Sequence, residues 1–103
     1  GGHFVQGHVD CITKITNINN VDRSAIFSFL LPKPHKKYIV EKGSVCLDGI
    51  SLTVASINDT EFSIAVIPHT IENTNWRKST IGDLVNLEVD IISKYVENLI
   101  GKR

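Results

Sequence analysis

An all-β barrel of six antiparallel strands, finished by a short carboxyl-terminal helix, is the fold class this sequence predicts. Three observations lead there. Short runs that alternate apolar and polar residues recur along the chain, separated by Asn, Asp, Gly and Pro; this is the pattern of strands joined by tight turns. The stretch Lys42–Val54, KGSVCLDGISLTV, reads as a hairpin about Asp48-Gly49, because glycine accepts the positive φ such turns need. After Asp90 the period changes, and Ile91, Ile92, Tyr95, Val96, Leu99 and Ile100 fall on one helical stripe. Strands this many and this short rarely leave open edges, so closure into a barrel is the natural outcome.

Size and composition agree. The chain has 103 residues, enough for one domain. Hydrophobic residues make up 42% and charged residues 21%, which argues for a folded globular protein. Eleven basic and eleven acidic side chains cancel, so the electrostatic footprint of nucleic-acid binding is lacking. No apolar run approaches the roughly 20 residues that span a bilayer, and no signal peptide opens the chain; a soluble, cytoplasmic protein is expected. Cys11 and Cys46 lie in strand-like contexts without metal-ligand spacing, and read as small buried hydrophobes rather than a disulfide or metal pair. The chain opens at Gly-Gly-His and contains no methionine, which reads as a domain cut from something longer.

Taken in order, His3–Ile15 predicts a long strand with Val5, Val9 and Cys11 on the core face and Gln6, His8 and Asp10 outward. His3 has core parity, so a bulge or bend near the glycines is needed to bring both histidines to one side. Thr16–Asp22, with three Asn and an Asp, predicts a loop. Ser24–Leu31 is the next strand, ended by Pro32-Lys33-Pro34. His35–Glu41 suits one helical turn, with Tyr38, Ile39 and Val40 under the barrel end. The hairpin follows, with Leu52 and Val54 inward and Ser51 and Thr53 outward. Asn58-Asp59-Thr60 turns into Glu61–Ile67, with Phe62, Ile64 and Val66 inward, stopped by Pro68. Thr70–Thr80 is polar and irregular, and its Trp76 is expected to be a partly buried packing residue. Leu84–Asp90 alternates again, with Val85, Leu87 and Val89 inward.

An interior of Val, Ile, Leu and Phe leaves no room for a ligand, so any site must lie on the outer surface. The outward polar set contains His8, Asp48, Ser51, Thr53, Thr70 and Asp90. It offers hydroxyls and acceptors for a polyhydroxylated ligand, and an imidazole able to move protons near neutral pH. No nucleophile elbow, phosphate-binding glycine loop or paired-histidine metal helix is present. Taken singly, each residue also has an ordinary reading: His8 as an exposed strand histidine, Asp90 as the cap of the following helix. His35 and His69 read as surface residues.

Together, the segments GGHFVQGHVD, KGSVCLDGISLTV, IPHT, and VNLEVD followed by a terminal helix resemble the carboxyl-terminal barrel of the riboflavin synthase family. They do so in the family's order and spacing over essentially the whole chain. The resemblance implies a six-stranded antiparallel Greek-key barrel over residues 1–90 that binds 6,7-dimethyl-8-ribityllumazine. A helix over residues 91–103 would be an oligomerisation element. It further implies dismutation of two lumazine molecules to riboflavin and 5-amino-6-ribitylaminouracil, with no metal or redox cofactor. The reaction would occur where an amino-terminal barrel of a neighbouring chain faces this one, within a trimer of full-length chains.

Carried over by position, the resemblance gives catalytic roles to His8, Ser51, Thr53 and Asp90. Substrate contacts fall to His3, Lys42, Asp48, Ser51, Thr53, Thr70 and the backbone at Ile67. The family's amino-terminal barrel, with its Met-Phe-Thr-Gly opening and a cysteine at the position equivalent to Ser51, has no counterpart here; Cys46 lies five residues too early. The chain is therefore expected to supply half of each active site, binding one pteridine and turning over slowly or not at all by itself. Three rival readings share the fold: a non-catalytic lumazine- or flavin-binding protein, the flavin barrel of a reductase, and a structural barrel whose helix mediates assembly.

Overall fold

In the computed structural model, which describes residues 9–89 and residue 99, the six strands are β1 (Cys11–Val21), β2 (Ser24–Leu30), β3 (Ser44–Leu47), β4 (Ile50–Ile57), β5 (Glu61–Val66) and β6 (Leu84–Val89). They close into an antiparallel barrel in the order β1-β2-β5-β4-β3-β6, with the crossover expected of a Greek key. The carboxyl-terminal helix, the segment that carries His3 and His8, and Asp90 lie outside the described residues. Among the described residues, no helix is long and apolar enough to cross a membrane.

Local chemistry explains most of the elements. At the β3–β4 turn both Asp48 (φ 49°) and Gly49 (φ 82°) occupy the left-handed region, which gives the type I′ turn whose twist matches that of the flanking strands. Alternation along β4 buries Leu52 and Val54 and leaves Thr53 exposed. Phe29, Leu47, Val54, Ile64, Val66 and Leu87 are each 0% exposed, so the interior is filled by side chains, each contributing about 1.5–3 kcal/mol of burial. Phe29 stacks on Phe62 at 5.3 Å between ring centroids.

Four local expectations are corrected. The Asn-rich stretch expected as a loop is strand: β1 continues through Asn17, Asn19 and Asn20, which pair with Ser28, Ile26 and Ala25. Pairing with β2 satisfies their backbone groups and overrides their weak strand propensity. A bulge at Thr16 resets the alternation, so that Ile15 is buried and Ile18 packs against the core. The chain turns only at Asp22 (φ 56°) and Arg23. Val9, expected inside, is 55% exposed, because it lies beyond the end of β1. Val40 is exposed as well, while Ile39 alone of its trio is fully buried. Trp76 is more deeply buried than expected, at 5% exposure.

That tryptophan closes one end of the barrel. The chain after β5 forms α1 (Pro68–Glu72) and a 3-10 turn, Asn75–Lys78. Thr74 joins them: its hydroxyl donates to the Thr70 carbonyl at 2.6 Å and accepts from the Trp76 N–H at 3.2 Å. The indole then meets Phe27 and Phe29 edge-on, at 5.0 and 6.0 Å. Thr70 is thereby held, 4% exposed, above the outer edge of β4 and β5.

Candidate functional site

The outward face of the β3–β4–β5 sheet carries the polar residues expected there. Register pairs Ser44 with Thr53 and Cys46 with Ser51 across β3 and β4. Continuing the Val54–Ile64 pairing of β4 with β5 places Thr53 beside Ala65 and Ser51 beside Ile67. Ser51 and Thr53 share one face about 7 Å apart, as residues i and i+2 of a strand must. A small cleft of about 80 Å³ opens here, lined by Leu52, Thr53, Ala65, Ile67 and Thr70. Thr53, Ile67 and Thr70, separated in sequence, thus meet in space. Ile67 caps α1, and its carbonyl accepts the Ile71 N–H at 3.1 Å.

Lys42 flanks the same sheet. Its N–H donates to the Val54 carbonyl at 2.8 Å, and its φ of 67° is a conformation that L residues rarely take. Gly43 follows, where a Cβ would sit 2.7 Å from Val40 Cγ2; only glycine allows so close an approach.

Asp48 is separated from this group. Its Oδ1 accepts the Asn86 N–H at 2.8 Å while its own N–H donates to the Asn86 carbonyl at 2.9 Å. The carboxylate therefore ties the hairpin turn to β6. It borders a polar concavity of about 360 Å³ shared with Lys78, Ser79 and Asp83, and does not line the Thr53–Thr70 cleft. A more open concavity of about 760 Å³ lies between the Lys33–Tyr38 turn and the β4–β5 connection, rimmed by Lys33, Lys36 and Asp59. Among the described residues, none of the sequence-predicted site residues lines it.

Cys46 is buried as expected, and Cys11 only in part. Cys46 is buried, at 8% exposure, yet its strand parity is outward, between Ser51 and Glu88. Burial pushes its thiol above the ordinary range, helped by the Glu88 carboxylate. Cys11 is only half-buried, and burial with the Asp10 charge raises it too. Both thiols stay protonated at neutral pH and are poor nucleophiles. His69 is a surface residue hydrogen-bonded to Asn73, as expected. His35 is half-buried, with Nδ1 enclosed and without a hydrogen-bond partner among the described residues.

One contributor to the cleft, Ala65, was not anticipated, because its place beside Thr53 depends on the β4 bulge at Ala55, for which the sequence carries no signal.

The sequence matches the family profile described as lumazine binding domain over residues 6–90. This chain belongs to the lumazine-binding domain family. Relatives named riboflavin synthase resemble the lumazine-binding domain along its whole length. That of Schizosaccharomyces pombe is 46% identical over 101 residues, covering 97% of this chain and 49% of the relative. That of Actinobacillus pleuropneumoniae is 43% identical over 103 residues, covering 100% of this chain and 48% of the relative. The chain thus spans about half the length of the curated relatives it matches. Among solved structures, LumP complexed with 6,7-dimethyl-8-(1'-D-ribityl) lumazine superposes with a TM-score of 0.74 at 27% identity, covering 80% of this chain and 46% of that one. LumP complexed with riboflavin gives 0.74 at 26% identity, covering 79% and 44%.

Proposed function

We propose that this lumazine-binding domain is one barrel of a riboflavin synthase, and that it seats one 6,7-dimethyl-8-ribityllumazine on the outer face of β4 and β5. The observation that carries the reading is the convergence of Thr53, Ile67 and Thr70 on one cleft, in a fold whose solved neighbours hold lumazine and riboflavin. The cleft is too small to enclose a pteridine, so the ligand lies half-covered, and a second barrel facing it completes the site. That partner is an amino-terminal barrel of the same family on a neighbouring chain, in a trimer of full-length chains working in the cytoplasm.

The chemistry suits such residues. Two lumazine molecules exchange a four-carbon unit, giving riboflavin and 5-amino-6-ribitylaminouracil, and the atoms balance without an external oxidant or metal. The methyl group at position 7 is acidic because its anion delocalises into the ring, so a positioned base and a site for nucleophilic addition suffice. In this reading His8 moves protons with help from the Thr53 hydroxyl, and Ser51 and Asp90 support addition and cleavage. Thr70 and the Ile67 backbone hold the ring edge, and His3 lies beside it. Lys42 reaches the ribityl chain. For Asp48 the bond to Asn86 already engages Oδ1, a reduced role.

Fluorescence titration of the 103-residue chain with 6,7-dimethyl-8-ribityllumazine tests the binding half. Saturable quenching is expected, with no riboflavin formed until the amino-terminal half of a riboflavin synthase relative is added. No change in fluorescence overturns the proposal. Binding without riboflavin formation in the mixture would favour the second reading, a non-catalytic carrier, which the similarity to LumP keeps in view.

Lys42 gives a separate check. Replacing a left-handed lysine by glycine relieves about 1 kcal/mol of backbone strain, offset in part by glycine's chain entropy. Lys42→Gly is expected to leave urea stability equal or raised by up to about 1 kcal/mol while weakening lumazine binding several-fold. Unchanged affinity would remove Lys42 from the site.

A further inference from the structure

One concavity is left unused by the proposed function. It measures about 760 Å³ and lies between the Lys33–Tyr38 turn and the β4–β5 connection. That is the start of β5, whereas Trp76 follows its end. Ile57 lines the space, four residues along β4 from Thr53, a separation of roughly 13 Å at the rise of a strand. The concavity is of a size that takes a small organic molecule, and it is separate from the Thr53–Thr70 cleft.

Both walls are built before any ligand arrives. Pro32 and Pro34 fix the backbone of the lysine-rich turn. The His35 N–H donates to the Pro32 carbonyl at 3.0 Å, and the Ile39 N–H to the Lys36 carbonyl at 3.2 Å. Ile39, 2% exposed, roots the turn in the core. Opposite, Asn58 Oδ1 accepts the N–H groups of Thr60 and Glu61 at 2.9 and 2.8 Å, which stiffens the β4–β5 connection. Charge on these walls is lopsided. Lys33, Lys36 and Lys37 line the space, with Asp59 the one carboxylate among the described lining residues, in a chain whose formal charge is zero. Residues three apart eclipse on a 3-10 helix, so Lys33 and Lys36 stand on one side and repel each other. Asp59 answers Lys36 at 3.7 Å, but both side chains are exposed, and such a pair is worth little. Lys37 lies over the Tyr38 ring. Pro34, Val40 and Ile57 give the same space an apolar surface.

We infer that this concavity is a second binding site, for a small organic phosphate whose apolar body lies on Pro34, Val40 and Ile57 and whose phosphate meets the ammonium groups of Lys33 and Lys36. A phosphate monoester carries about −1.5 to −2 charges at pH 7, so it relieves the repulsion between the lysines more fully than a carboxylate does. The ligand is not the lumazine, whose ribityl chain bears hydroxyls and no phosphate.

Titration of the 103-residue chain with 1-naphthyl phosphate, followed by amide NMR, tests the site. Saturable shifts are expected at Val40, Ile57, Asn58 and Asp59, and not at Thr53 or Ala65, with a Kd of about 1 mM or below. Three further probes take the ligand apart: 1-naphthol lacks the anion, inorganic phosphate lacks the body, and 1-naphthoate carries a single charge. The first two should bind at least about tenfold more weakly, and the naphthoate about threefold. Lys33→Ala combined with Lys36→Ala should weaken 1-naphthyl phosphate about tenfold, while Asp59→Asn, which removes the opposing charge, should tighten it about threefold. All three positions are exposed, so the fold should hold; should the double variant lose cooperative unfolding, Lys33→Gln with Lys36→Gln takes its place. Absence of shifts at these amides up to about 10 mM probe overturns the site. So does 1-naphthol or inorganic phosphate binding as tightly as the ester, or unaltered affinity in the double variant. Each of these leaves the lumazine cleft standing. Shifts here rather than at Thr53 on adding 6,7-dimethyl-8-ribityllumazine would make this the lumazine face and overturn both.

Discussion

Ala65→Leu is expected to abolish lumazine binding while leaving the barrel intact. Ala65 faces outward beside Thr53 and lines a cleft of only about 80 Å³ together with Ile67 and Thr70. A leucine there fills the space a ring would need, and the packed strands beneath cannot recede, because Val54, Ile64 and Val66 are each 0% exposed. Loss of affinity by about 100-fold, near 2.8 kcal/mol, is the expected scale. The position is exposed, so urea stability should change by no more than about 0.5 kcal/mol. Titration and unfolding of the same variant read the two effects separately. Wild-type affinity in Ala65→Leu would move the ligand to another face, with the concavity between Lys33 and Asp59 as the next place to look.

Trp76→Ala should have the largest effect on stability. The indole seals the barrel end against Phe27 and Phe29, and it is 5% exposed. Removing it leaves a cavity over Phe27 and Phe29, a change that costs about 3–5 kcal/mol. A domain of this size has roughly 5–15 kcal/mol to lose, so the urea midpoint should fall by about a fifth or more. The same loss loosens the Thr74 link to Thr70, and affinity should fall with stability. Trp76→Phe, which keeps a ring against Phe27, should recover much of both. A midpoint unchanged in Trp76→Ala would show that the α1 segment closes the barrel without its tryptophan.

Local rules reached far in this chain where pattern and turn chemistry agreed. The Asp48-Gly49 hairpin, the inward set of β4, β5 and β6, and the stop at Pro68 were legible because each depends on neighbours a few residues away. They failed where a distant partner decided the outcome. Asn17, Asn19 and Asn20 look like loop, and only β2 makes them strand. Trp76 looks like a partly buried packing residue, and only its edge-on contacts with Phe27 and Phe29 make it a plug. Asp48 looks like a ligand contact within reach of Ser51, and only the position of β6 commits its Oδ1 to Asn86. Asp10 looks like one more outward residue, and only the tertiary structure shows that its carboxylate accepts the Val89 N–H.

The sequence by itself determined that this is an antiparallel barrel with a filled interior and an external polar face. Side-chain alternation and the turn residues permit little else. Only the tertiary structure decided which of those polar residues share a cleft and which serve as struts between strands. Cross-strand register is a property of pairs: the bulges at Thr16 and Ala55 and the bond from Val89 to Asp10 depend on contacts between segments that are remote along the chain.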